Sequence, residues 1–165
     1  MRSVILWGVL LLVLLTVNVQ IVGKERLLAS GTPVLLELAP KDPRSLLQGD
    51  YMSLRYRLAD ELLQALEPQA SADGEAVVRL DEHGVARLVR LHGHGETMKP
   101  DERLLFFRKR GDSLRLAGDA YFFQEGQAER FRDARYGALR VADDGTAILV
   151  GLRDGNFQRL GPSGD

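Results

Sequence analysis

The sequence predicts a mainly β protein, an antiparallel β-sandwich or partly open barrel with one or two short helices, preceded by one N-terminal transmembrane helix. Three observations predict it. An uncharged apolar run occupies residues 4–23, period-2 alternation dominates beyond residue 33, and turn-forming Gly, Asp and Pro clusters recur at short intervals. Short alternating strands joined by such turns pack as sandwiches or barrels. No repeat period is present, which argues against a propeller or solenoid.

The first element is the apolar run, which opens "VILWGVLLLVLL" at Val4 and continues to Gly23. Twenty helical residues at about 1.5 Å each span about 30 Å, the thickness of a bilayer's hydrocarbon core. Asn18 and Gln20 lie near one end, where an interface can hydrate them. A cleaved signal peptide starting at Arg2 is the competing reading, and it needs small residues at −1 and −3 of the cut. A cut after Gly23 puts Ile21 at −3, a cut after Ala29 puts Leu27 there, and no Cys exists to carry a lipid. Residues 1–23 are therefore expected to be an uncleaved anchor. Arg2 and the amino terminus oppose Lys24 and Arg26, which nearly balances the positive-inside rule. A short tail ahead of a long export domain favours N-in, C-out, with residues 24–160 exported and 161–165 as a disordered tail.

Within that domain, "PVLLELA" (residues 33–39) reads as a strand and "KDPRS" as a turn. Residues 51–58 alternate, with Met52, Leu54, Tyr56 and Leu58 facing a core and Tyr51, Ser53, Arg55 and Arg57 facing water. "ADELLQAL" fits a helix that Pro68 stops, and "EPQASADGE" a surface loop. "AVVRL" and "VARLVRL" around "DEHG" read as a hairpin, and "HGHGETMKPDE" as the longest loop. "RLLFFRKR" and "LRLAGDAYFF" around "GDS" read as a second hairpin. Residues 125–136 suggest a helix along Ala128, Phe131 and Arg135, stopped by Gly137. "ALRVA" and "TAILVGL" around "DDG" close the chain as a third hairpin.

Composition excludes several functions. The formal net charge is −1, without the basic excess that a phosphate backbone demands. Without cysteine there are no disulfides, thiolate nucleophiles or thiolate metal sites. An exported domain of this length must hold together by its core. Ser-His-Asp order, phosphate loops and dinucleotide fingerprints are missing, and no cofactor is expected.

"GDYMSLRY", residues 49–56, matches at every fixed position the motif that names the GDYXXLXY family of bacterial membrane-anchored proteins. The block "YFFQEGQAERFRDARYGALRVADDGTAILVGL" also resembles the carboxy-terminal half of that family. The resemblance implies a single-pass inner-membrane protein encoded near multi-span membrane proteins, which are its expected partners; with the N-in, C-out orientation its carboxy-terminal domain is expected in the periplasm. It implies no activity.

The residues of the motif divide into structural and binding candidates. Gly49 permits positive φ, Asp50 can cap its own turn, and Leu54 and Tyr56 join the core. Tyr51, on the wet face with Arg55, is left for a partner, so Asp50, Tyr51 and Arg55 are the binding candidates. Tyr121 and Phe123 share a face while Phe122 takes the other, and Glu125 beside Gly126 is placed to cap the following helix or, if buried, to act as a base. Tyr121 and Glu125 join the binding candidates, and Gly126 the structural ones. His92, His94 and Glu96, with His83 remote, have the spacing of a small metal site, but glycine-rich loops seldom hold zinc ligands, and no metal is expected. The alternative function is a Ser/Lys hydrolase, since Ser45 precedes Gly49-Asp50 and Lys109 precedes Gly111-Asp112 in a loose likeness to signal peptidases. That likeness lacks Ser-Met-x-Pro, and Lys109 is expected at the wet end of a hairpin. The favoured expectation is a non-catalytic domain, tethered outside the cytoplasm, that binds or assembles with membrane partners.

Overall fold

The computed structural model describes residues 2–39, 47–48, 51–66, 73–93 and 95–161. Helix α1 (Arg2–Ser30) leads directly into strand β1 (Thr32–Glu37), followed by β2 (Leu47–Gln48), β3 (Tyr51–Ser53) and helix α2 (Arg57–Ala65). Then come β4 (Asp73–Leu80), β5 (Ala86–Leu91), β6 (Glu102–Arg110), β7 (Ser113–Arg115) and β8 (Ala120–Phe122). A 3-10 turn (Ala128–Phe131) precedes β9 (Tyr136–Val141), β10 (Ala147–Arg153) and β11 (Arg159–Leu160). The fold class is as expected, with antiparallel sheets curled into half-barrels.

The sheets run β1-β9-β10-β11, β2-β3-β8 and β5-β4-β6-β7. Among the described residues the strands within each sheet pair antiparallel, from Val34↔Leu139 in the first sheet to Met52↔Tyr121 in the second and Ala76↔Leu105 in the third, while a single parallel bridge joins Leu35 to Val85. One apolar core joins them, and Leu36, Leu62, Ala76, Leu105 and Leu152 within it are fully buried. Register irregularities at Val77/Val78 and Leu149/Gly151 bend the sheets around this core. The first and third sheets also meet directly, because Leu35 N–H donates to the Gly84 carbonyl and Phe106 N–H to the Gly145 carbonyl, both at 2.9 Å.

Helix α1 continues past the end of the apolar run. Its segment Ile5–Ser30 has a mean hydropathy of 2.4 over its most apolar stretch and is long and apolar enough to cross a membrane. The last turn, after Lys24, packs on the β domain instead, and Leu27 is buried there. Gly31 closes the helix with its N–H on the Leu27 carbonyl at 2.9 Å. A Cβ on Gly31 would lie 2.5 Å from that carbonyl oxygen and 3.2 Å from Cβ of Arg140, so only glycine lets the helix end abut β9 this closely.

The alternation read over residues 51–58 holds for burial but not for strand length. Met52, Leu54, Tyr56 and Leu58 are buried, while Tyr51, Arg55 and Arg57 are exposed. The strand stops at Ser53, and helix α2 begins at Arg57, where Leu58, Ala59 and Leu62 form its buried stripe. The first and third hairpins form as read, as β4–β5 and β9–β10.

Two readings are corrected. "LRLAGDAYFF" is not one strand of a second hairpin: β7 ends at Arg115 on β6, and β8 pairs with β3 in another sheet. The inward phase changes across Gly118, from Leu114 and Leu116 before it to Tyr121 and Phe123 after it. A one-residue phase change moves a strand's apolar set to its other face, and here it marks the change of sheet. Residues 125–136 are not an α-helix either. They yield only the 3-10 turn, because Arg135 N–H bonds the Arg153 carbonyl and the Arg135 carbonyl accepts Leu38 N–H, both at 2.8 Å. A helix this short is marginal alone, and pairing with β10 and β1 outweighs it. The "KDPRS" turn, most of "EPQASADGE" and residues 162–165 lie outside the described residues.

Phe131 is what the 3-10 turn delivers. It is 1% exposed, with the Tyr121 and Phe123 rings 5.2 and 5.1 Å from its own. Phe131→Ala should cost about 3–5 kcal/mol, the range for truncating a buried aromatic, read as a fall in thermal midpoint of the full chain in detergent. Phe122→Ala, on the exposed face of the same strand as Tyr121, should leave the midpoint nearly unchanged.

Candidate functional site

Residues 51–56 of the motif form a seam. Strand β3 pairs with β8 through Tyr51↔Phe122 and Ser53↔Ala120, which places the segment in the small sheet. Leu54 N–H then bonds the Asp119 carbonyl at 2.7 Å, and the Arg55 carbonyl accepts Ala39 N–H at 2.8 Å. Tyr56 bridges Leu38, next to the end of β1. Within a few residues the chain has passed from the small sheet to the first sheet and entered α2.

Tyr56 locks that passage. Its ring is 3% exposed, and its hydroxyl donates to the Gly118 carbonyl at 3.0 Å. The ring lies so close to β9 that a Cβ on Gly137 would come within 2.9 Å of Cε1 of Tyr56. Burial, and then the Asp119 carboxylate, push the Tyr56 hydroxyl far above the ordinary tyrosine range, so it stays protonated and remains a donor. Leu54 and Tyr56 are both buried, on the core face expected for them.

Beside this seam a cleft of about 400 Å³ runs between α2 and β7, lined by Leu54, Arg55, Tyr56, Asp60, Arg115 and Asp119 among others. Its rim carries two ion pairs. Arg55 Nε donates to Asp60 Oδ1 at 2.9 Å and Arg55 Nη2 lies 2.8 Å from the same oxygen, and Arg115 Nε lies 2.7 Å from Asp119. Both arginines are more than half exposed, so each pair contributes little to stability.

On the other side of β3 the small sheet presents aromatic surface. The Tyr51 and Phe122 rings sit side by side, 5.7 Å apart and tilted by 38°. Among the described residues beyond α1, the exposed large apolar side chains are Tyr51, Val89 and Phe122, with Phe122 at 75%. Sequence reading placed Phe122 opposite Tyr121 but did not select it. Its signal was the strand phase, which joins it to Tyr51 only once β3 and β8 are known to pair.

The remaining candidates fall as follows. Gly49, Asp50, Ser45 and His94 lie outside the described residues. Tyr121 is half-buried against Phe131. Glu125 is exposed in a turn with Gly126 at φ 79°, and the residue capping the 3-10 turn is Gln127, with no side-chain cap bond. Glu125 is therefore neither cap nor buried base. Lys109 is not at a wet end; it is 4% exposed, because it continues the inward phase of Leu105 and Phe107 on β6.

The histidine loop is tied by carboxylates. Arg90 bridges Glu96 at 3.0 Å and Glu102 at 2.8 Å, and Lys99 N–H bonds the second Glu102 oxygen at 3.1 Å. Hydrogen bonds from Arg90 first, then from backbone N–H groups, hold both carboxyls below the usual range. His83 stacks on Phe157 at 4.5 Å, and His92 lies 3.9 Å from Glu75. Among the described residues no group of three or more His, Cys, Asp and Glu side chains could hold a metal.

A family model described as "GDYXXLXY protein" matches residues 13–152. The chain belongs to the GDYXXLXY family. The match starts inside α1 and ends in β10, so it covers the seam, the cleft and the core hairpins. No curated protein and no solved structure matches the chain.

Tyr56→Phe isolates the seam's hydrogen bond. It leaves the Gly118 carbonyl unpaired and should cost about 1–2 kcal/mol in chemical denaturation near neutral pH. The folded hydroxyl titrates above its unfolded value of about 10, so its contribution is complete below that pH and is lost as pH rises beyond it. The stability gap between wild type and Tyr56→Phe should accordingly close above about pH 10. A gap independent of pH would show that the hydroxyl ionises as readily in the fold as in the unfolded chain.

Proposed function

We propose that this protein is a single-pass anchor protein of the bacterial inner membrane whose β domain, on the periplasmic side, binds or assembles with multi-span membrane proteins. The observation that supports this reading best is the join between helix and domain. Helix α1 exposes apolar side chains all along Ile5–Val22 and runs into β1 through Gly31 alone, without a linker. Leu27 buries against the domain, and Arg140 donates to the Gly31 carbonyl at 3.1 Å, so the domain is held at a set height and orientation. Tethering of this kind raises the effective concentration of the domain at any membrane-embedded neighbour. In this reading the exposed Tyr51–Phe122 pair is the contact surface, since paired aromatics are the usual anchors of an interface and seldom stand exposed without use. The paired arginines of the adjacent cleft supply a polar rim. The domain binds and does not catalyse.

The test is capture from gently solubilised membranes followed by mass spectrometry. Tyr51→Ala with Phe122→Ala should lower recovery of co-purifying multi-span proteins about tenfold, the effect of losing roughly 1.4 kcal/mol, with an unchanged thermal midpoint. Undiminished capture would remove this face from the interface. Wild-type chain should stay in the pellet through alkaline extraction, and a reporter active only outside the cytoplasm, fused at Asp165, should be active. The hydrolase alternative has one observation in its favour, the burial of Lys109. If Ser45→Ala abolishes the cellular phenotype while the chain stays folded and abundant, that alternative replaces the binding reading.

A further inference from the structure

A second cleft lies at the foot of the domain, where α1 meets the β9–β10 hairpin. It measures about 220 Å³ and is lined by Gly23, Arg26, Leu27, Ser30, Thr32 and Asp143, among others. Its walls combine the last turns of the helix with the hairpin tip.

The height of this cleft follows from the helix. The apolar run ends at Gly23, and Arg26, three residues on, stands about 4.5 Å beyond the hydrocarbon edge at 1.5 Å per residue. The headgroup layer on each side of a bilayer is roughly 5–7 Å thick, so a spanning α1 places Arg26 within it. The cleft also carries charges of both signs that do not neutralise each other. Among the described residues neither the Arg26 guanidinium nor the Asp143 carboxylate is in an ion pair, whereas most charged side chains around the domain are. Leu27, Ser30 and Gly31 at the carboxyl end of α1 line the same space; Arg140 already holds the Gly31 carbonyl, and the partial negative charge of the helix end favours a further cation there.

We infer that this cleft binds the zwitterionic headgroup of a phospholipid, phosphatidylethanolamine in chemical class, with Arg26 on the phosphate and Asp143 and the helix end on the ammonium. A guanidinium matches phosphate oxygens bidentately. A primary ammonium offers three N–H donors to a carboxylate and helix carbonyls, which a glycerol headgroup lacks. The bound lipid then seals the open side of the join. This inference rests on α1 spanning the membrane.

The full-length chain is reconstituted in nanodiscs of equal phosphatidylethanolamine and phosphatidylglycerol, released into mild detergent, and its retained lipids are weighed by native mass spectrometry. Wild type should keep phosphatidylethanolamine over phosphatidylglycerol by about tenfold, close to the worth of one good charge-assisted contact. Asp143→Asn should erase that preference while keeping both lipids, and Arg26→Gln should lose both. Glu25→Gln, on the same helix but outside the cleft, should behave as wild type. Equal retention of the two lipids by wild type, or preference surviving in both variants, overturns the inference. Displacement by soluble glycerophosphoethanolamine at the concentration at which the diacyl lipid competes would assign the site to a free solute and also overturn it. Failure of the chain to enter nanodiscs would instead defeat the anchor reading, so the two failures are distinguishable.

Discussion

The hydrogen bond from Tyr56 to Gly118, with the ring pressed on Gly137, is the constraint on which the arrangement of the sheets depends. Gly118 lies where the chain leaves β7 for β8, Gly137 lies on β9, and Tyr56 itself bridges Leu38 beyond β1 and begins α2. One side chain therefore touches the connection between two sheets, the face of the remaining one and the start of a helix. Because the ring is buried, the hydroxyl must find a partner inside, and the Gly118 carbonyl is the partner the fold supplies. Beside the shared apolar core, the third sheet meets the first through the Leu35–Gly84 and Phe106–Gly145 backbone hydrogen bonds.

This constraint explains the family motif in physical terms. Leu54 and Tyr56 alternate inward to fill the seam, and Leu58 carries the same phase into the helix. Arg55, between them, holds Asp60 in the first turn of α2, where a carboxylate also favours the helix dipole. Tyr51 is different, because its ring stands on the outer surface with Phe122. The motif thus joins a structural half to a residue whose exposure the packing does not require.

Much of the fold was legible in the sequence because burial follows alternation. The core face of residues 52–58, the β4–β5 and β9–β10 hairpins and the apolar helix follow from local pattern, whereas the continuation of that helix from Lys24 to Ser30 does not. Two features were not legible for one reason. The split of residues 114–123 and the failure of a helix over 125–136 depend on bonds to distant strands, such as Arg135 to Arg153 and Leu54 to Asp119. Local periodicity carries no information about such partners. Phe122 escaped selection for that reason too, since its neighbour Tyr51 lies far away in sequence. The burial of Lys109 was, by contrast, readable from the inward phase of Leu105 and Phe107; placing it by proximity to a turn ignored that phase.

The exposed features have a common geometry. The aromatic pair, the cleft with its two ion pairs and the cleft at the foot of α1 all sit on elements joined to the same core, and α1 enters that core without slack. A flexible linker would let a tethered domain sample many orientations, and its binding surface would face a membrane partner only part of the time. A glycine hinge would have done the same, but Gly31 is packed too tightly to hinge, with Leu27 on one side and Arg140 on the other. The orientation entropy is therefore removed when the domain folds, before any partner arrives. Under the proposed binding role, preorganisation of that kind would lower the cost of a contact made through only a pair of aromatic rings and a few charges.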